Sequence, residues 1–314
     1  MKIIKTIPLV IAGLISINLS AQKTNAEISV KEGGTWKDRK YEGGTFKNVQ
    51  TLELDPKHTD HSFDIRFEGP GWESNKIAYR LYLDWRNAID LFGKTTDKMV
   101  LPQIGLDGFE SYHLKQDWGS DILKVGKGQG LGSIARTLYN EMYHFETVKT
   151  TSVKVNNSKT QSSVNISYKG WKTLTDEIDL TTQLTIFPDG RHTKATITPS
   201  KAISGICTGI VKVKDLELLK KTSKNGKWAY IATYGDQSMF NDNLGMVVFY
   251  PVSSVEKLAD SAFDHLIVFK PTTKPVTYYF SAAWQNEPGG ITNKEAFVKY
   301  INAELEKLNA TNKL

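Results

Sequence analysis

Glu177-Ile-Asp-Leu-Thr-Thr-Gln-Leu-Thr-Ile-Phe187 is followed by Pro188-Asp-Gly190 and then by Arg191-His-Thr-Lys-Ala-Thr-Ile-Thr198. Apolar and polar residues alternate on both sides of the turn. Period two sends successive side chains to opposite faces of a strand, and a Pro-Asp-Gly turn between two such runs makes a hairpin. The same pattern recurs along the chain. It predicts strands at Thr51–Leu54, Ser62–Glu68, Lys76–Asp84, Thr147–Val155, Ser163–Lys169, Gly209–Leu218, Trp228–Tyr234, Gly245–Pro251, Phe263–Phe269 and Thr277–Trp284. Asn156-Asn-Ser158 and Asn225-Gly226 supply further turns.

About twelve strands without an intervening linker point to two large antiparallel sheets packed face to face. One helix interrupts the pattern. Thr292-Asn-Lys-Glu295 reads as a capping box, with the Thr hydroxyl capping and Glu295 reaching back. Phe297, Tyr300, Ile301, Leu305 and Leu308 then form an i, i+3, i+4 stripe suited to lie on a sheet.

Composition excludes several classes. The 314 residues hold 40 Lys and Arg against 34 Asp and Glu, with 11% aromatic residues, so a wholly disordered chain is excluded. A single cysteine, Cys207, forbids an intramolecular disulfide framework and a cysteine zinc cluster. The six histidines show no HxH or HExxH spacing, so no dedicated metal site or other cofactor is expected, although ligands distant in sequence can meet in the fold. No basic stripe marks a nucleic-acid surface. Gly126 to Gly132 lacks the ending of a phosphate loop, and no Gly-x-Ser-x-Gly elbow occurs.

Residues 1–21 read as a secretory signal: Lys2 and Lys5, an apolar run from Ile7 to Leu19, and Leu19-Ser-Ala21 as a cleavage site. The apolar run is short for a membrane span, although an uncleaved anchor is the alternative. Residues 22–314 then form a single β-sandwich catalytic domain, periplasmic or secreted, of net charge +4. It has no membrane span after cleavage and a weak bias toward an anionic partner.

Polar and aromatic residues concentrate in two places. In the first, alternation sets Ile77, Tyr79, Leu81 and Leu83 on one face of a strand and Ala78, Arg80, Tyr82 and Asp84 on the other. Arg80 can clamp a carboxylate while Tyr82 and Asp84 contact hydroxyls. The competing reading is an ion-pair network between two strands, with Arg86 and Asp90 as partners. The second is Ser111 to Lys124, inside a segment, Gly105–Glu146, whose seven glycines between Gly105 and Gly132 suggest a binding loop or lid. There His113 is a candidate acid or base, Trp118 a face for a sugar ring, and Lys124 a cation. Tyr139, Tyr143 and His144, and the strand residues Arg191 and His192, complete the candidates.

The run from Phe67 to Lys94, with Asp117-Trp-Gly-Ser-Asp-Ile-Leu-Lys-Val-Gly126, Cys207-Thr-Gly-Ile210 and Phe280-Ser-Ala-Ala-Trp284, resembles a family of secreted bacterial proteins. That family is common in polysaccharide-utilisation loci and long carried only a domain-of-unknown-function label. The resemblance covers nearly all of residues 22–314. It implies an ulvan oligosaccharide dehydratase, a carbon–oxygen lyase removing water across C4–C5 of a non-reducing-end uronic acid. The partner is then an anionic, uronate-containing, sulfated oligosaccharide.

Such chemistry needs a cation at the uronate carboxylate, a base for the C5 proton and an acid for O4. Arg80, with Lys124 or Arg191 as alternatives, suits the first role. His113 or a tyrosine suits the second, and Tyr143 or His144 the third. In glucuronate the proton and O4 leave on a syn path, so one group can serve both; in iduronate the path is anti and two are needed. The expected fold is an all-β, large antiparallel β-sandwich with a C-terminal helix, the galactose-mutarotase-like supersandwich being the candidate type. A polysaccharide lyase and a non-catalytic carbohydrate-binding protein are the alternatives.

Overall fold

The computed structural model describes residues 22–314, so the expected signal segment lies outside the described residues. Every pair of neighbouring named strands in its three sheets is antiparallel. The largest sheet has nine strands, with the quoted hairpin near its middle as Asp176–Ile186 and His192–Pro199. Register pairs Ile186 with Thr193, so the Pro188-Asp-Gly190 turn closes the hairpin as read. Asn156 to Ser158 and Asn225-Gly226 also join paired strands.

Alternation sorts the faces of this sheet. Along Val276–Trp284, Tyr278, Phe280, Ala282 and Trp284 enter the main core, while Tyr279 and Ala283 face the other way. The main core lies between the nine-stranded sheet and two others, of six and five strands. On the opposite face sits the helix Lys294–Thr311, burying Phe297, Ile301, Leu305 and Leu308. The architecture is a β-sandwich with one C-terminal helix. Among the described residues no helix is long and apolar enough to cross a membrane.

Several local expectations change. The helix cap is Asn293, whose side chain accepts a 2.8 Å bond from Ala296 N–H, so Thr292 is not the cap. The strand expected at Gly209–Leu218 is Ile206–Val211, and Asp215 has φ 65, a left-handed turn conformation. No strand forms over Ser62–Glu68. His61, Phe63, Phe67 and Glu68 all have φ between 41 and 68, which no strand tolerates. Ser62 donates to Asp64 and Arg66 pairs with Glu27, so these polar groups bond sideways instead of along a ladder.

The long hairpin Thr24–Lys37 and Lys40–Val49 was not expected either. Most of its distal residues are exposed, so neither face carries an apolar stripe there. Gly71–Ser74 and Ile89–Lys94 are buried throughout and therefore show no alternation.

Residues 95–118 cover the outer face of the six-stranded sheet. Buried Glu73 pins their start, accepting from Val100 N–H at 2.8 Å and Leu101 N–H at 2.9 Å while paired with Lys94 at 2.9 Å. At their end Gly119, at φ +129, lies so close to Gly93 that a Cβ would come within 1.8 Å of its carbonyl oxygen. Phe67, Phe92, Leu101, Ile104 and Tyr112 fill the space beneath.

Candidate active site

Arg80 lies on Ile77–Leu81, directly opposite Asp90 on Ile89–Lys94. Tyr79 points into the main core, stacked on Trp72 with ring centroids 5.6 Å apart. Arg80 therefore points outward, beneath the 95–118 segment, where it is 1% exposed. Its Nη2 donates to Asp90 at 2.8 Å, Asp121 at 2.5 Å and the Tyr82 hydroxyl at 3.0 Å; its Nη1 donates to Tyr112 at 3.1 Å. Tyr82 also donates to Asp90. Burial alone would disfavour the guanidinium charge, but Tyr82, Asp121, Tyr112 and Asp90 outweigh it and hold Arg80 firmly protonated.

Arg86 forms the second half of the network. It chelates Asp84 through Nε and Nη2, bonds Asp60 at 2.7 Å and comes within 3.5 Å of Glu68. Glu68 also stands 3.7 Å from Arg80, so it links the two halves. Burial raises the pKa of Glu68 despite both arginines. Burial raises Asp121 as well, and the nearby Asp90 charge adds to it.

His113 closes one side. Its Nε2 is 3.6 Å from Asp121 Oδ2, and its side chain is 24% exposed. Burial lowers its pKa, and the Arg80 charge lowers it further, favouring the neutral ring. Phe109 packs between His113 and His61, its centroid 5.0 Å from one and 5.1 Å from the other. His61 is half exposed and bonds Asp60 through Nδ1 at 2.7 Å. A groove of about 590 Å³ leads from Phe109 and Tyr112 to Phe46, Phe63 and Lys31.

Five of the thirteen left-handed non-glycine residues among the described residues lie here. Phe67 and Glu68 are consecutive, and His61, Phe63 and Asn87 lie on the adjoining turns. Each such non-glycine residue costs on the order of 1 kcal/mol or more, and concentrated strain of this kind is found at functional sites.

The sequence-selected residues divide sharply. Arg80, Tyr82, Asp84 and His113 meet in one network. Arg80, expected as a clamp on a substrate carboxylate, is bonded here to carboxylates and phenols in a buried cross-strand network. His144 is near but behind: its Nδ1 lies 3.2 Å from the Arg86 carbonyl oxygen and its ring sits against Trp85. Tyr143 pairs with Arg136 in the five-stranded sheet, and Tyr139 is 86% exposed at the neighbouring turn. Trp118 packs edge-on against Phe92, and Lys124 is exposed.

Arg191 and His192 belong to the helix side. Arg191 pairs with Glu287 at 2.7 Å and covers the Tyr300 ring, and His192 faces Glu304. Sequence reasoning missed Asp60, His61, Glu68, Phe109, Tyr112 and Asp121 as site members. His58-Thr-Asp60-His61 is dense in ionisable residues, and that density was the available signal.

The fold and site define an all-β sandwich carrying a strained, buried guanidinium–carboxylate network edged by two histidines. The chain belongs to the DUF4861 family, a domain of unknown function, whose model matches residues 15–313. Among solved structures it is similar to a presumed aldose 1-epimerase from Klebsiella pneumoniae subsp. pneumoniae, at 8% identity and a TM-score of 0.36, over 78% of this chain and 84% of that one. No curated protein matches the chain.

Proposed function

We propose that the chain is an exported oligosaccharide dehydratase acting on a uronate at the non-reducing end of ulvan oligosaccharides. One observation carries the reading: a histidine held neutral stands at the edge of a buried ion network, beside an aromatic ring of sugar width. The sugar lies against Phe109. His113 takes the C5 proton, and an enolate-like intermediate forms on the uronate carboxylate. In glucuronate O4 leaves from the same face, so His113 returns the proton to it. The C5–H and C4–O4 bonds break, C4=C5 forms, and water departs. The Asp121 carboxylate, 3.6 Å from Nε2, stabilises by its charge the imidazolium that appears between the two steps. The remaining sugars follow the groove toward Phe46 and Lys31.

The test is incubation with saturated uronate-terminated ulvan oligosaccharides, followed by ultraviolet absorbance and mass spectrometry. Rising absorbance of a conjugated uronate, with loss of one water and an unshortened chain, is expected. Shortened unsaturated products would make the protein a polysaccharide lyase instead. Binding without reaction would make it a carbohydrate-binding protein.

A further inference from the structure

We propose that Asp60, His61 and Glu68 bind a divalent transition-metal cation, Zn²⁺ or Mn²⁺, at the mouth of the ion network. One ligating atom from each lies within 4.8 Å of the other two. An imidazole with two carboxylates suits such ions.

Four further features of the surroundings bear on that site. Five carboxylates, on Asp60, Glu68, Asp84, Asp90 and Asp121, face only two guanidiniums, on Arg80 and Arg86. The Glu68 side chain is 8% exposed, yet its cations are 3.5 and 3.7 Å away, beyond a charge-assisted bond of about 2.7–2.9 Å. Asp60 meets both Arg86 and His61 through Oδ1, which leaves Oδ2 for another partner. The Asp60–His61 bond occupies Nδ1 and orients the ring, as carboxylates do for metal-ligating histidines.

The cation's role rests on the dehydratase reading. Both arginines are bonded to carboxylates, and Arg80 is buried beneath the 95–118 segment. A metal bound there would be a fixed positive charge at the rim of the network, where it would draw the anionic end of the oligosaccharide toward the groove.

Calorimetric titration of the protein with Zn²⁺ and with Mn²⁺, without substrate, tests the site; metal content after dialysis accompanies it. One equivalent of either ion is expected, with affinity reduced at least about tenfold in His61→Ala. His61 is half exposed, so that variant keeps the fold. His265→Ala, at the separate Asp260–His265 pair, leaves binding unchanged. Absence of saturable binding of both ions, or equal affinity in His61→Ala, overturns the proposal. Dehydration is assayed separately with metal and with chelator. Binding without dehydration keeps the metal site and removes the dehydratase reading. Dehydration by protein that binds neither ion does the reverse.

Discussion

His113 Nε2 stands 3.6 Å from the Asp121 oxygen that accepts a 2.5 Å hydrogen bond from Arg80. The imidazole therefore borders a buried ion pair without being part of its core, and a change there should spare the fold. His113→Ala is expected to lower dehydration about 10²- to 10⁴-fold, the usual range for an acid–base group. Its melting temperature should stay near that of the wild type. A variant that retained full activity would remove His113 from the reaction.

The same placement fixes a pH dependence. Burial first, and Arg80 second, depress the His113 pKa. The neutral ring is the base, so activity rises with pH through that pKa and is already full at neutrality. The acid limb of kcat/KM should fall below about 6.5, the ordinary histidine value. A limb above that value would mean that another group controls the reaction.

Arg80 divides stability from chemistry. Removing its charge leaves Asp90 and Asp121 buried without their cation, at 1% and 2% side-chain exposure. Breaking one partner of such a network costs about 3–5 kcal/mol. Arg80→Ala should lower the urea midpoint accordingly, whereas Asp60→Asn, partly exposed at the rim, should cost far less. Comparable losses would place Asp60 in the structural core of the network.

Alternation made the sandwich legible through Thr150–Asn157, Ser162–Thr173, Asp176–Ile186 and His192–Pro199, each with one buried face. It failed where that asymmetry fails, on the fully buried Ile89–Lys94 and on the exposed tip of Thr24–Lys37. The site was half legible. Arg80 and Tyr82 were placed on the correct face, and His113 was singled out as a loop residue. Their partners come from Glu68 and Asp121, far apart in sequence and joined by the fold. Left-handed turns at His61, Phe67 and Glu68 have no marker in residue type, since no glycine or asparagine occupies them.

The helix start offers a clean discrimination between two neighbouring residues. Asn293 accepts from Ala296 N–H, while Thr292 lies outside the helix. Asn293→Ala should destabilise by about 1 kcal/mol and Thr292→Ala by a few tenths at most. Thermal unfolding of both variants reads the difference, and the reverse ranking would restore Thr292 as the cap.

His192 supplies a stability effect far from the site. Its ring lies between Phe187 and Tyr279, beneath the C-terminal helix, and its Nε2 is buried without a hydrogen-bond partner. Burial, with Lys307 adding to it, lowers its pKa to about 4. The unfolded chain, at about 6.5, takes up the proton first as pH falls. Stability conferred by the neutral ring is therefore complete above about pH 6.5 and is lost progressively down to about pH 4. At about 1.4 kcal/mol per unit the loss approaches about 3 kcal/mol. A His192→Gln variant has no such proton to bind. Relative to it, the wild type should lose about that much stability between those pH values, measured by denaturant unfolding at each pH. Parallel pH curves for the two proteins would show that His192 is already solvated or protonated in the folded state.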